Sequence, residues 1–159
     1  MKDAAELILR SSLGKELSQE EAAVLSGLMS SRELADGEFL IKEGTADDSL
    51  HVLLVGKLEV VKRTAADETM SLAILREGDL AGDLSFIDGE VHTVGLRALC
   101  DSRVLTLKRE DFETIVNDNP QLVYKVMRAV ARSAHRIVHR KNYEFIELSN
   151  YIFKQHGRY

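Results

Sequence analysis

The amino-acid sequence predicts an α+β protein built around an antiparallel set of short strands, with helices at both ends of the chain. Six short apolar segments occupy its middle, and turn residues rather than helical segments separate them. Segments with apolar residues at helical spacing precede and follow this region. Short strands without helices between them favour a sandwich or barrel over a parallel sheet.

The N-terminal helical segment is predicted to comprise residues 1–33. Residues 4–10 are helix-prone, and Ser18 with Glu21 three positions later is typical of a capping box that begins a second helix. Apolar residues at helical spacing continue that helix: Ala22, Leu25, Leu28 and Met29.

Residues 34–118 are predicted to form the strand-rich domain. Gly56 and the segment 65–68 each separate two apolar segments, which predicts two hairpin connections. Gly37 and Gly44 bracket the first strand, as turn residues would. The six predicted strands are Glu38–Ile41, Ser49–Val55, Leu58–Lys62, Met70–Leu75, Thr93–Leu99 and Arg103–Lys108.

Residues 119–159 are predicted to form C-terminal helices, with Asn119 as a cap and Pro120 in the first turn. Apolar residues then alternate four and three positions apart, as in a coiled-coil seam: Val123, Met127, Val130, Ala134 and Ile137. A helix that packs against its own sheet explains the same spacing. The apolar face of a last helix is predicted from Phe145, Leu148, Ile152 and Phe153.

The composition indicates a soluble globular protein of one domain, with 159 residues, of which 45% are hydrophobic and 30% charged. Its apolar runs are far shorter than the roughly 20 residues of a spanning helix, so no membrane segment is predicted. The chain shows no basic-then-apolar leader, and we therefore expect a cytoplasmic location. Cys100 is the only cysteine, which excludes an internal disulfide.

Charge is unevenly distributed along the chain. Residues 120–159 contain eight basic and two acidic residues, a net charge of +6, so the first 119 residues carry −11 of the total of −5. The net charge argues against a general nucleic-acid binder. A row of arginines at every fourth position could bind an acidic protein partner or nucleic acid, although a solvated helix face also explains it: Arg128, Arg132, Arg136 and Arg140.

The candidate functional site lies in the segment 77–98, which contains four of the ten glycines. Between Gly82 and Gly89 there is room for about one helical turn, whose first N–H groups lack an internal partner and could hold an anion. Beside an anion, Asp83 could accept a hydrogen bond from a hydroxyl group, and His92 could supply partial positive charge. These features together suggest a nucleotide site.

This segment, the following TVGLRA and the preceding IKEGTADDSLHVLLVGKLEVVKR resemble the cyclic-nucleotide-binding domain of the catabolite-activator and kinase-regulatory-subunit family. The resemblance covers roughly Leu34 to Ile137. It implies an antiparallel β-roll, a double-stranded jelly-roll-like barrel, with a long C-terminal helix lying over the nucleotide. It also implies a symmetric homodimer through the seam from Val123 to Ile137.

The resemblance implies the ligand-binding residues Gly82, Asp83, Leu84, Ser85, His92 and Thr93. Asp83 stands where the family has a glutamate that accepts from the ribose 2′-hydroxyl, and it is one methylene shorter. His92 stands where the family has an arginine that pairs with the cyclic phosphate, and it lacks the guanidinium fork. Losing a charged hydrogen bond worth about 1.5–3 kcal/mol would weaken binding by roughly one to two powers of ten.

Each of these two residues also has a simpler interpretation. Asp83 could be the N-terminal cap of a helix, and His92 could be a histidine in a surface loop. Arg97 could replace the missing arginine, but its position five residues after His92 gives it the opposite side of an extended strand.

No catalytic constellation is present, since the sequence lacks GxSxG, P-loop and HExxH motifs. His135 and His139 could chelate a metal from one helix face, but no third ligand lies nearby in the sequence. About twenty residues follow Ile137, too few for a helix-turn-helix reader, so DNA is not an expected partner.

The sequence therefore predicts a stand-alone regulatory domain, not an enzyme, that senses cAMP or cGMP and transmits binding through its C-terminal helix. The alternative is a degenerate, non-binding domain that acts as a dimerisation or protein-docking module. A third hypothesis is anion binding gated by protonation of His92 below about pH 6.5.

Overall fold

The structure is a computed structural model that describes residues 2–156, with side chains described for 3–136, 140 and 142–154. Five helices and eight strands follow one another in the order α1 (Lys2–Arg10), α2 (Gln19–Leu28), β1 (Met29–Leu34), β2 (Phe39–Ile41), β3 (Leu50–Val55), β4 (Leu58–Arg63), β5 (Thr69–Leu75), β6 (Leu80–Ala81), α3 (Asp83–Asp88), β7 (Gly95–Ala98), β8 (Ser102–Leu107), α4 (Arg109–Glu113) and α5 (Pro120–His156).

The strands form two four-stranded antiparallel sheets, with strand orders β1-β8-β3-β6 and β2-β7-β4-β5. This arrangement confirms the predicted α+β fold with a β-roll between N-terminal and C-terminal helices. One core cluster, which includes Leu34, Leu53, Leu58 and Val104, joins the inner faces of the two sheets. A second cluster joins the first sheet to the helices, so the helices are integral to the domain.

The first sheet begins earlier than residue 34, because residues 29–34 form strand β1. Helix α2 ends at Leu28, so the prediction that Met29 continues the helix is wrong. Four of the six residues of β1 are exposed, since β1 is an edge strand that pairs with β8 alone. An edge strand with a solvated surface lacks the apolar alternation by which strands are recognised in a sequence.

Gly56 does not make the predicted hairpin, because β3 and β4 belong to different sheets. The chain crosses from one sheet to the other at Gly56, which has φ +100°, and a Cβ there would clash with the side chain of Ser102. The second predicted hairpin is confirmed: β4 pairs with β5, and Asp67 adopts φ +60° in the turn between them.

The predicted capping box at the start of α2 is confirmed. Glu21 N donates to Ser18 Oγ at 3.1 Å, and Ser18 N donates to Glu21 Oε2 at 2.9 Å. Lys125 Nζ lies 2.9 Å from both carboxylate oxygens of Glu21, which ties α2 to α5. Contact with Lys125 lowers the pKa of Glu21.

The predicted C-terminal helices are a single helix, α5, whose 37 residues span about 55 Å. In the first half of α5, the residues on the side that packs against the rest of the domain are buried: Leu122, Val126, Ala129, Val130 and Ser133. Most of these belong to the same core cluster as Phe86 and Phe112, whose ring centroids are 5.3 Å apart.

This packing bears on the predicted dimer seam. Val130 is fully buried in the core of its own chain, and Val123 and Met127 pack partly buried against the same core. Ala134 is half-buried, and the side chain of Ile137 lies outside the described residues. Packing within the chain therefore accounts for the first part of the apolar spacing, and the homodimer stays a prediction.

The second half of α5 has a different surface. Its large apolar side chains are exposed: Tyr143, Phe145, Ile146, Leu148, Tyr151, Ile152 and Phe153. None of the helices within residues 2–156 has the length and hydropathy needed to cross a membrane.

Candidate functional site

The candidate site is the segment 82–93, here called the cassette, which follows β6 and contains α3. Gly82 precedes α3 with φ +76°, and a Cβ there would lie 2.7 Å from the carbonyl oxygen of Ser49. Gly89 ends α3 with φ +73°, and its N–H donates to the carbonyl of Ser85 at 2.8 Å. The single helical turn predicted between these two glycines is confirmed, and both ends of it depend on the left-handed backbone region that glycine adopts readily.

Asp83 is the first residue of α3 and is only 7% exposed. Burial raises the pKa of its carboxyl group, and bonds from its own backbone N–H and from the Ser133 hydroxyl of α5 oppose that rise. Oδ2 has no hydrogen-bond partner among the described residues. Because Gly82 holds the N-cap position, the interpretation of Asp83 as the helix cap is wrong.

The raised pKa gives a testable dependence of stability on pH. Since the folded state binds the Asp83 proton more tightly than the unfolded state, ionisation of this group destabilises the fold as pH rises through the folded pKa. We expect Asp83→Asn to raise the free energy of unfolding by about 1–3 kcal/mol at pH 7, because it removes a buried charge. Urea unfolding at several pH values measures this, and the gain should vanish below the ordinary pKa of aspartate, 3.8. A gain that stays constant down to pH 3 would contradict this explanation.

His92 is buried, with 8% of its surface exposed, and both ring nitrogens have partners. Nε2 lies 2.7 Å from the backbone oxygen of Asp47, and Nδ1 lies 3.2 Å from Ser85 Oγ. A carbonyl oxygen only accepts, so Nε2 carries a hydrogen, and in the neutral ring Nδ1 accepts from the Ser85 hydroxyl. The surface-loop interpretation of His92 is therefore wrong.

The backbone of His92 also holds the loop that follows β2. Its N–H donates to the carbonyl of Thr45 at 3.0 Å, and its own carbonyl accepts from Gly44 N at 2.7 Å. His92 thus connects this loop to Ser85 of α3 through both backbone and side chain, so its contacts within the chain are structural.

Asp47 and His51 extend this network and were not predicted as site residues. His51 Nε2 lies 3.5 Å from Asp47 Oδ2, and this contact lowers the pKa of Asp47 well below its usual range. His51 Nδ1 lies 2.9 Å from Thr106 Oγ1, on β8. The signal in the sequence is a histidine inside the apolar strand segment LHVLLV, with an aspartate four residues earlier.

Leu84 and Thr93, unlike their neighbours, have exposed side chains. The carbonyl of Thr93 accepts from Lys62 Nζ at 2.7 Å, and Lys62 also pairs with Glu43 at 2.9 Å. Arg97, the arginine considered as a substitute, has its Nη2 2.8 Å from Glu59 Oε2 on β4. The structure thus brings Ser85 and His92 into contact, buries Asp83 at the start of the same helix and directs Leu84 outward.

A metal centre is not indicated in the described part of the chain, where no group of three or more His, Cys, Asp or Glu residues is placed to hold an ion. His135 is exposed on α5, and the side chain of His139, its predicted partner in chelation, lies outside the described residues.

Comparison with known proteins decides the family. The family model described as cyclic nucleotide-binding domain matches residues 31–119, more than half of the chain and all of the cassette. This chain belongs to the cyclic nucleotide-binding domain family. The cyclic nucleotide-binding domain comprises the two sheets from β1 onward together with α3 and α4, while α5 follows the matched range.

Relatives of known structure share the fold of this cyclic nucleotide-binding domain. A cyclic nucleotide-binding domain from Methylobacillus flagellatus kt is 23% identical with a TM-score of 0.82, over 93% of this chain and 85% of that one. The catabolite activator protein of Thermus thermophilus is 24% identical with a TM-score of 0.75, over 87% of this chain and 63% of that one.

A curated relative is much larger. The neuropathy target esterase sws of Drosophila melanogaster is 28% identical over 134 residues, which are 80% of this chain and 9% of the relative. The cyclic nucleotide-binding domain described here thus spans about a tenth of the length of the curated relatives it matches.

Proposed function

We propose that this cyclic nucleotide-binding domain is a non-catalytic regulatory module that binds cAMP or cGMP at the cassette and passes the occupied state to α5. The observation that supports it is Asp83 Oδ2, a buried acceptor with no partner among the described residues. An unsatisfied buried polar group costs about 1–3 kcal/mol. A ribose hydroxyl that donates to Oδ2 would remove this cost.

The same carboxyl group connects the cassette to α5. Ser133 lies on the buried side of α5, and its hydroxyl interacts with Asp83. A ligand that draws the carboxyl toward a ribose would compete with Ser133 for it. A ligand shifts a conformational equilibrium only through such a difference in contacts between the two states. Asp83 is therefore the residue through which we expect occupancy to change the position of α5.

The phosphate is the part of the ligand for which we expect the weakest contacts. His92 is hydrogen-bonded to Ser85 and Asp47, and Arg97 is paired with Glu59. With these contacts kept, the backbone N–H groups at the start of α3 would have to bind the phosphate. We expect affinity about ten- to a hundred-fold below that of a site with a phosphate-binding arginine. Millimolar rather than micromolar ligand is the range to examine.

A thermal-shift panel with cAMP, cGMP and guanosine at up to millimolar concentration tests this proposal. A ligand that binds the folded state raises the melting temperature, since it stabilises by about 2.7 kcal/mol at a hundred times its Kd. Isothermal calorimetry should then give heat with a cyclic nucleotide, and Asp83→Ala should abolish it. Ile74→Ala is the control, because Ile74 is 47% exposed on β5 and lies outside the cassette.

Two outcomes would contradict the proposal. One is the absence of any shift or heat at millimolar cAMP and cGMP. The other is equal binding by the wild type and Asp83→Ala. Equal binding of guanosine and cGMP would instead show that the ribose and base, not the phosphate, are recognised.

A second candidate function is a dimerisation or docking module that needs no ligand. Two observations favour it: Ser85 and His92 satisfy each other inside the domain, and the second half of α5 exposes large apolar side chains. Under this proposal Phe145→Asp with Leu148→Asp should abolish self-association in sedimentation velocity. A wild type that is monomeric at all concentrations would count against the dimer.

A further inference from the structure

An open groove lies between the connection from α1 to α2 and the first half of α5, away from the buried side of that helix. Its volume is about 550 Å³. Four basic side chains line it, together with Ser12 and other small or polar groups: Lys15, Arg128, Arg132 and Arg136. All four are exposed, so the groove presents a concentrated positive charge to solvent.

Glu16 shows how this surface engages a carboxylate. Its Oε1 lies 3.0 Å from Arg132 Nη2 and 3.5 Å from Arg128 Nη2. The groove lining contributes four positive charges and Glu16 one negative charge, which leaves a local charge of about +3. The groove therefore already binds one carboxylate of its own chain. The charges of Lys15 and Arg136 are not neutralised by Glu16.

We propose that this groove binds an acidic segment of a partner protein in extended conformation, with carboxylates at alternate positions. Arg128, Arg132 and Arg136 follow one another at intervals of four residues, which is about 6 Å along a helix. Side chains on one face of an extended chain are about 6.6–6.8 Å apart, twice the rise per residue. Consecutive carboxylates of such a segment thus meet consecutive guanidinium groups, each able to form a forked pair.

Nucleic acid fits this surface less well. Binding of single strands uses several aromatic side chains on which successive bases stack, and the described lining of the groove has no Phe, Tyr or Trp and a single histidine, His135. The first 119 residues carry −11, which would repel a long polyanion that extends beyond the groove. A short acidic peptide needs only the groove itself.

Fluorescence anisotropy with the full chain and a labelled twelve-residue peptide of alternating Glu and Ser tests the proposal. We expect saturable binding that weakens as salt increases. Arg132→Glu with Arg136→Glu should weaken it at least tenfold. Two similar charge reversals outside the groove lining, Lys42→Glu with Lys57→Glu at exposed lysines, provide the matched control and should change affinity less than twofold.

Glu16→Gln is expected to increase the affinity for the peptide, a result that loss of folding would not produce. Removing the internal carboxylate frees Arg128 and Arg132 for the peptide, so affinity should increase about three- to tenfold. No saturable binding by the wild type, or equal weakening by the groove variant and the control variant, would overturn the proposal. Tighter binding of a labelled dT12 oligonucleotide than of the peptide would overturn the assigned class of partner.

Discussion

Leu122→Ala is expected to reduce the free energy of unfolding by about 2–5 kcal/mol, which is the usual cost of removing a buried leucine side chain. Leu122 is 2% exposed and belongs to the core cluster that joins the first sheet to the helices. The first half of α5 is therefore part of the domain core and not an appendage. Urea unfolding followed by circular dichroism measures the effect.

Leu148→Ala provides the matched control, because it is the same substitution on the same helix at a side chain that is 57% exposed. We expect it to change the stability of the monomer by no more than about 0.5 kcal/mol. Similar losses for both variants at low protein concentration would contradict the division of α5 into a buried and an exposed half. If the chain self-associates through the exposed half, the loss for Leu148→Ala should grow with protein concentration.

This division changes how self-association should be tested. A chain cut after Asn119 would lose Leu122, Val126 and Val130 from the core, so its failure to associate would reflect unfolding as much as a missing interface. Substitutions in the exposed half of α5 leave the core intact. They separate the docking function from the stability of the fold.

Local chemistry explains which parts of the fold could be predicted from the sequence. Ser18 and Glu21 are three residues apart, so their capping box needs no knowledge of the tertiary structure. The turn between Gly82 and Gly89 depends likewise on residues close in sequence. Strand pairing is not local, and β3 lies between β6 and β8, of which β8 follows it by about fifty residues. The local sequence therefore predicts a hairpin at Gly56, although Gly56 connects two sheets.

The site follows the same rule. The sequence identified Asp83 and His92, but their partners are remote: Ser133 is fifty residues after Asp83, and Asp47 is forty-five residues before His92. The spacing of residues along the sequence does not indicate contacts between residues that are so far apart in the chain. Burial of His92 could not be read from the polar segment around it either, and this burial decides between a ligand-binding and a structural role.

His92→Ala is expected to reduce the free energy of unfolding by about 2–4 kcal/mol. The substitution removes the bonds to Ser85 Oγ and to the Asp47 carbonyl and leaves both groups without that partner, each at a cost of about 1–3 kcal/mol. Ser85→Ala removes only the first bond and should cost roughly half as much. Glu90→Ala, at an exposed residue two positions before His92, should stay within about 0.5 kcal/mol.

The same geometry predicts the outcome of restoring an arginine at this position. An arginine in place of His92 would bring a longer, always charged side chain into a site where the native residue is 8% exposed. In the position of the imidazole, the longer guanidinium would collide with the Asp47 carbonyl and the Ser85 hydroxyl. It avoids this collision only by turning outward, to solvent or to a bound phosphate. We therefore expect His92→Arg to destabilise the ligand-free domain, and cAMP to recover part of that loss if the cassette binds phosphate. A His92→Arg variant as stable as wild type without ligand would show that the histidine is not a structural contact and that the cassette is open.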